Sequence, residues 1–347
     1  MMISLCPYGT HRVLKPKGAL PQAARRIANR LPMQANEMLI SVETLNVDSA
    51  SFTQIREACG ADKDKMAAMI LDIVNTRGKL QNPVTGSGGM LLGRVKDIGP
   101  DFPGKARAGD QVATLVSLSL TPLVIRRIKA IHLQTDQVDV EGEAILFASG
   151  IFARIPQDMD RKLALSALDV AGAPAQTHLL VRPGDSVLVL GASGKSGVLC
   201  CVQARLDVGA RGRVIGLCYD PREAEELRAL DACDVILMAD ARDPMDVYRR
   251  VLAANGGRKV DVAINVVNIP DTEMATILPV RDGGIAYFFS MATNFAKAAL
   301  GAEGVASNAR MLIGNGYTPG HAEFTLDLIR NHPGLSALFL SRYGGKE

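Results

Sequence analysis

The chain has 347 residues and a formal net charge of +3 from 39 basic and 36 acidic side chains, with no tryptophan and 4% aromatics, so it offers neither a basic stripe nor a stacking platform for nucleic acid. At ~100–200 residues per domain the length calls for two domains, and a hydrophobic content of 48% against 22% charged residues supplies a sizeable core. No apolar run reaches the ~18 residues of a membrane span and residues 1–12 lack a basic-then-apolar signal pattern, which excludes a membrane partner and predicts a cytoplasmic protein.

Residues 1–35 are interrupted by Pro16, Pro21 and Pro32 and predict loops with one short helix near Ala23–Asn29. Glu37–Asn46 alternates and reads as a half-buried strand that delivers the polar stretch 46–53. A helix is expected over Asp62–Val74, where Met66, Ile70 and Val74 recur at four-residue steps. The segment 82–99 is glycine-rich and then alternating; strands are expected at Val112–Val116, Val138–Glu143 and Ala144–Ala148. To about Pro156 the chain therefore reads as a compact β-barrel domain.

From Leu163 strands and helices alternate. Val187–Leu190 is a continuous apolar run ending at Gly191, as a central parallel strand does. It opens Gly191-x-x-Gly194-x-x-Gly197 and a helix from about Ser196, a turn suited to a pyrophosphate met by open N–H groups and the helix dipole. The nearby Gly194-Lys195-Ser196 does not make a triphosphate loop, since Val189 stands where that loop needs glycine. Further strands are expected at Arg213–Cys218, Val235–Met238, Val260–Val267 and Ile285–Ser290, with helices at Arg222–Leu230, Met245–Ala254 and Thr272–Leu278. This is a doubly wound parallel sheet with its ligand crevice at the carboxyl ends of the strands, where Val267 and Ser290 lie. Asp220 either bonds the adenosine ribose or caps the helix after it. A glycine-rich tail with a last helix at Glu323–Arg330 is expected to return to the first domain. The six cysteines are scattered and read as reduced thiols.

The order of parts and the landmarks Gly93-x-Val95-x-x-x-Gly99, Gly109-Asp110-x-Val112-Ala113 and Pro183-Gly184-Asp185-x-Val187 resemble the medium-chain dehydrogenase/reductase superfamily. That resemblance implies an α/β chain with a GroES-like β-barrel domain at 1–156 and 292–347 and a Rossmann domain at 157–291. The places of its catalytic zinc ligands hold Asn46, Gly89 and Asp169 or Val170, so a zinc-free member is expected. Longer runs, among them 8–13, 45–55, 81–90, 114–123, 168–176, 263–267 and 288–293, resemble the L-erythro-3,5-diaminohexanoate dehydrogenases of lysine fermentation. The resemblance implies NAD-dependent oxidative deamination at C3, giving 5-amino-3-oxohexanoate and ammonium, in a homodimer or homotetramer. The fifth parallel strand is a candidate for pairing across its two-fold axis. An NADPH-dependent enone or quinone reductase and a non-enzymatic dinucleotide-binding protein are the alternatives.

Such chemistry needs a neutral amine, although an aliphatic amine with a pKa of ~10.4 is protonated at pH 7, so a base or relay is required. His11 is the first candidate for it. Asp48 and Asp169 are candidates to orient ammonium groups, with helix capping as the alternative, and Arg12 to hold the carboxylate. Ser49, Ser51, Thr53, Thr85 and Ser87 are hydroxyl donors. Gly191, Ser193, Gly194, Lys195, Ser196 and Gly197 are expected at the pyrophosphate, and Val267 and Ser290 at the nicotinamide. No metal ligands are expected.

Overall fold

The computed structural model describes residues 5–103, 105–314 and 316–344. The chain divides into two compact units, with the break between Asp169 and Val170.

The first unit holds strands β1 (Val13–Lys15), β2 (Arg26–Ile27), β3 (Glu37–Asn46), β4 (Met90–Ile98), β5 (Gln111–Thr114), β6 (Leu123–His132), β7 (Gln137–Phe147) and β8 (Phe152–Arg154). Its helices are α1 (Ser49–Ala58), α2 (Lys63–Arg77) and α3 (Arg161–Leu168). Six strands form one antiparallel sheet in the order β6-β7-β3-β4-β5-β8, and β1 pairs with β2. Met38, Ile40, Val42 and Leu45 of β3 enter one core with Phe52 and Ile55 of α1 and Met66, Ile70 and Val74 of α2. The four-residue steps of α2 are thus its buried stripe.

The expected helix at Ala23–Asn29 is replaced by turns and β2, since the proline-spaced segment supplies no continuous helical face. The two strands expected at 138–148 are the single strand β7, as Gly142 continues the ladder with its missing Cβ facing the Val124 carbonyl. Two elements have weak sequence signals: α1, which is polar on one side, and β6, whose Arg126, Arg127 and Lys129 interrupt its apolar residues.

The second unit holds α4 (Gly172–Leu180), β9 (Ser186–Leu190), α5 (Lys195–Val208), β10 (Arg213–Cys218), α6 (Pro221–Ala229), β11 (Val235–Met238), α7 (Pro244–Ala254), β12 (Val260–Asn265), α8 (Glu273–Ile277), β13 (Val280–Phe288), α9 (Phe295–Gly304), β14 (Arg310–Ile313), α10 (His321–Asn331) and α11 (Pro333–Tyr343). All six strands run parallel in the order β11-β10-β9-β12-β13-β14, the doubly wound arrangement whose switch point lies between β9 and β12. β9 is buried throughout. In the tail, β14 pairs with β13, and the compact second unit runs from Val170 to Gly344. The fifth strand, β13, is consequently interior, and β14 is the edge. No helix among the described residues is long and apolar enough to cross a membrane.

Candidate active site

In the second unit, β9 ends at Leu190 and the chain reverses at Gly191, whose φ of 79° favours glycine. A Cβ on Gly197 would lie 2.0 Å from the Gly191 carbonyl oxygen, so this spacing is sterically required for the turn. Gly194 occupies the N-cap of α5, so the turn leads directly into the positive end of the α5 dipole. Ser193 is turned the other way: its hydroxyl donates to Glu223 Oε2 at 2.9 Å. Lys195 places its ammonium 5.4 Å from the ring centre of Tyr343. From the same helix α11, Arg342 donates to the Ser193 carbonyl at 2.8 Å and to Glu226 Oε2 at 2.8 Å, bracing the turn against α6.

Asp220 caps α6, accepting from the Arg222 amide through Oδ1 at 2.7 Å. At the carboxyl ends of β12 and β13, the Val267 amide donates to Asn265 Oδ1 at 3.0 Å, and the Ser290 hydroxyl accepts from the Ala292 amide at 3.1 Å. Val267 borders the glycine turn, because a Cβ on Gly191 would come within 3.1 Å of its Cγ2.

In the first unit, the chain leaves β3 at Asn46 and enters α1 through Asp48, whose Oδ1 caps the helix by accepting from the Ala50 amide at 3.0 Å. The loop 82–89 closes on this corner: Asn82 anchors it through the Val84 amide and Gln54, and a Cβ on Gly89 would lie 2.0 Å from the Asn46 carbonyl oxygen. The outcome is a continuous hydroxyl chain. Ser87 Oγ donates to Asp48 Oδ1 at 3.1 Å, buried Ser51 Oγ lies 2.6 Å from both Ser87 Oγ and Thr85 Oγ1, and Thr85 is exposed. Ser49 hydrogen-bonds Asp136 instead.

His11 and Arg12 belong elsewhere. They bind Glu37, the first residue of β3, whereas Asp48 follows the last; the strand between them spans roughly 30 Å at ~3.3 Å per residue. Arg12 is 5% exposed, and all five of its N–H groups have acceptors: Glu37 Oε1 and Oε2, both at 2.6 Å, and the carbonyls of Ala28, Arg30 and Pro32. All five donors of Arg12 are thus taken up within the fold. His11 Nε2 lies 2.8 Å from Glu37 Oε1, with its ring edge-on to Phe147. Burial would raise the Glu37 carboxyl, but Arg12, the Gln34 amide and His11 together hold it below its ordinary value. Close by in sequence to the hydroxyl loop, buried Lys79 donates to the Pro21 and Gln22 carbonyls, and burial, with Arg77 adding repulsion, pushes its pKa down to about 8.

Asp169 ends α3 as its C-cap. The structure thus brings Asp48, Ser51, Thr85 and Ser87 together, and separately Gly191, Ser193, Gly194, Lys195, Ser196 and Gly197 with Val267. Among the described residues, no His, Cys, Asp and Glu side chains gather in a metal-binding group. The partners Glu37, Glu223 and Asn265 were not flagged by the sequence, because each acts through a contact distant along the chain.

Residues 11–156 match the family model of the L-erythro-3,5-diaminohexanoate dehydrogenase N-terminal domain. Over 340 residues the chain is 56% identical to the L-erythro-3,5-diaminohexanoate dehydrogenase of Acetoanaerobium sticklandii, covering 97% of this chain and 99% of that one. It is 55% identical to the enzyme of the same name from Fusobacterium nucleatum, with the same coverage. Among solved structures, the CurK enoyl reductase has a TM-score of 0.57 at 16% identity, covering 93% of this chain and 85% of that one. An alcohol dehydrogenase from Thermotoga maritima has a TM-score of 0.56 at 15% identity, covering 89% and 86%. A mycobacterial protein solved with NADPH has a TM-score of 0.55 at 19% identity, covering 94% of each chain. These structures share the medium-chain dehydrogenase/reductase fold with this chain.

Proposed function

The chain belongs to the L-erythro-3,5-diaminohexanoate dehydrogenase family, and from that membership we propose that it oxidatively deaminates L-erythro-3,5-diaminohexanoate at C3 with NAD, forming 5-amino-3-oxohexanoate and ammonium in lysine fermentation. The observation that carries this reading is the near full-length likeness to dehydrogenases of that name, which extends through both units. The chain is accordingly an oxidoreductase acting on a small molecule with a nicotinamide cofactor.

NAD supplies the hydride acceptor for C3 when bound. Gly191, Gly194 and Gly197 would keep the turn open to its pyrophosphate at the positive end of the α5 dipole, with Ser193, Lys195 and Ser196 around it, and Val267 and Ser290 would border the nicotinamide. The choice of NAD over NADP is supported by Glu223, whose carboxylate on the Ser193 hydroxyl disfavours a 2′-phosphate there. Asp220 uses Oδ1 for its cap, leaving Oδ2 as the oxygen to meet a ribose hydroxyl.

As hydride leaves C3, the amine lone pair forms the C=N bond of an iminium, and water then adds and ammonium departs. Both stages require proton movement. We assign it to the hydroxyl chain: exposed Thr85 exchanges with water, buried Ser51 passes protons between Thr85 and Ser87, and Asp48 holds Ser87 in line while its charge faces the substrate's ammonium groups. Asp169 is a second candidate for an ammonium. His11 and Arg12 are reassigned to Glu37 and the fold.

The reading includes a zinc-free enzyme in the cytoplasm. It also includes a homo-oligomer, for which the edge strand β14, with Met311 and Ile313 exposed, is a suitable pairing edge. The test is NADH formation by chelator-treated protein given NAD and 3,5-diaminohexanoate, with ammonium assayed in parallel. Equal yields support the proposal. No NADH with this substrate, together with NADPH consumption on enones, overturns it in favour of a reductase.

A further inference from the structure

Asn265 is the last residue of β12, fully buried after the apolar run Val262-Ala263-Ile264, in register with Leu190 and Phe288 at the ends of the flanking strands. A buried amide in such a place is costly unless its donors and acceptor are matched. Here they are. Nδ2 donates to Thr272 Oγ1 at 2.9 Å and to Thr276 Oγ1 at 2.8 Å, while Oδ1 accepts from the Val267 amide at 3.0 Å. The backbone carbonyl of the same residue accepts from the amides of Phe289 and Ser290, at 3.0 and 3.3 Å.

One residue therefore ties the loop after β12 and the loop after β13 to a common point. A second buried tie lies beside it: Glu273, at the start of α8, accepts from the Asn294 amide at 2.7 Å. The connection continues to the glycine turn, since Val267 packs at the place where a Gly191 side chain would be.

We propose that Asn265 is a positioning residue for the nicotinamide end of the cofactor, holding Val267 and Ser290 in one fixed relation to the pyrophosphate turn. This rests on the reading that those loops border the nicotinamide. The residue touches neither cofactor nor substrate. It acts by denying the two loops independent motion, so that the nicotinamide is held in a single pose relative to C3. The pyrophosphate and adenosine contacts would be built from the glycine turn, α5 and α6, and the turn itself is held by its glycine spacing and by Arg342 on the Ser193 carbonyl rather than by Asn265.

That separation defines the test. NAD and ADP-ribose share the adenosine and pyrophosphate, and ADP-ribose lacks the nicotinamide. Binding of both is measured by calorimetry to the wild-type protein, Asn265→Ala and Thr276→Val. The expected result is about tenfold weaker NAD binding in Asn265→Ala, with ADP-ribose changed by less than about twofold. The Thr276→Val protein, which loses one acceptor of the Asn265 amide, shows the same pattern to a smaller degree and serves if Asn265→Ala does not fold. With substrate deuterated at C3, the isotope effect on kcat rises in both variants as hydride transfer becomes slower than product release. Equal weakening of the two probes, or unchanged NAD binding, overturns the proposal. Failure of the wild-type protein to bind ADP-ribose overturns the dinucleotide reading itself, an outcome distinct from either.

Discussion

Strand β3 has a polar cluster at each end, and the two differ in what their hydrogen bonds leave over. At Glu37 a buried carboxylate meets a buried guanidinium with every N–H of Arg12 matched, and His11 completes the second coordination of the same oxygen. At Asp48 the carboxylate caps a helix and continues into three hydroxyls, the last of them exposed. Both carry the acids, hydroxyls or imidazole from which catalysis is made. The Arg12–Glu37 pair is saturated and sealed, with His11 at its exposed edge; the hydroxyl chain ends at exposed Thr85, where it meets water. Residue type alone does not separate the two clusters, while the inventory of matched donors does.

The sharpest way to break the contrast is at Glu37. Glu37→Ala leaves the Arg12 charge buried without its partner, and urea unfolding is expected to show a loss of about 3–5 kcal/mol. The same carboxyl governs acid sensitivity: its folded pKa is depressed, so its contribution is fully present above the unfolded value of ~4.3 and lost as pH falls through the folded value beneath it. Activity per folded molecule should be retained. If instead kcat collapses while stability holds, the sealed cluster is the chemical one.

Ser51→Ala is the converse. It cuts the hydroxyl chain between Thr85 and Ser87, and steady-state assays should show kcat lower by ~10²-fold with a stability change of about 1–2 kcal/mol. A kcat within a factor of two would remove the relay.

Lys79 sharpens the sealed side of the comparison, being a buried ammonium that donates to backbone carbonyls. Between about 8 and ~10.4 the unfolded chain binds more protons than the folded one, so stability should rise with pH through that window, by about 1–3 kcal/mol relative to Lys79→Met. A parallel pH profile for the two proteins would contradict it. The smallest effect is expected from Thr85→Ala. A water can take the place of an exposed hydroxyl, so kcat should fall by only about threefold, and a larger loss would make Thr85 a direct substrate contact.

The parallel sheet was legible because β9 and β10 are short apolar runs punctuated by glycine or aspartate, a pattern that a strand covered on both faces imposes. β14 was not, since Arg310-Met311-Leu312-Ile313 is an edge with little burial and lies in a glycine-rich tail. The glycine turn was legible for a steric reason visible in its spacing. Asp48, Ser51, Thr85 and Ser87 were each legible as polar residues near one another in two segments, but their linkage depends on Gly89 allowing the loop to close on Asn46. The bonding of His11 and Arg12 to Glu37 was not legible, because Glu37 follows 26 and 25 residues later and, as one charge in a strand, gave no sign of being buried.

The brace from Arg342 to the Ser193 carbonyl joins positions separated by 149 residues. During synthesis at ~5–20 residues per second, the glycine turn leaves the ribosome roughly 7–30 s before the side chain that supports it exists. Over that interval β9, α5 and α6 can assemble, yet Glu226 and the Ser193 carbonyl wait without their guanidinium. The nascent chain therefore passes through a stage in which its glycine turn is shaped but not yet braced, until α11 follows it.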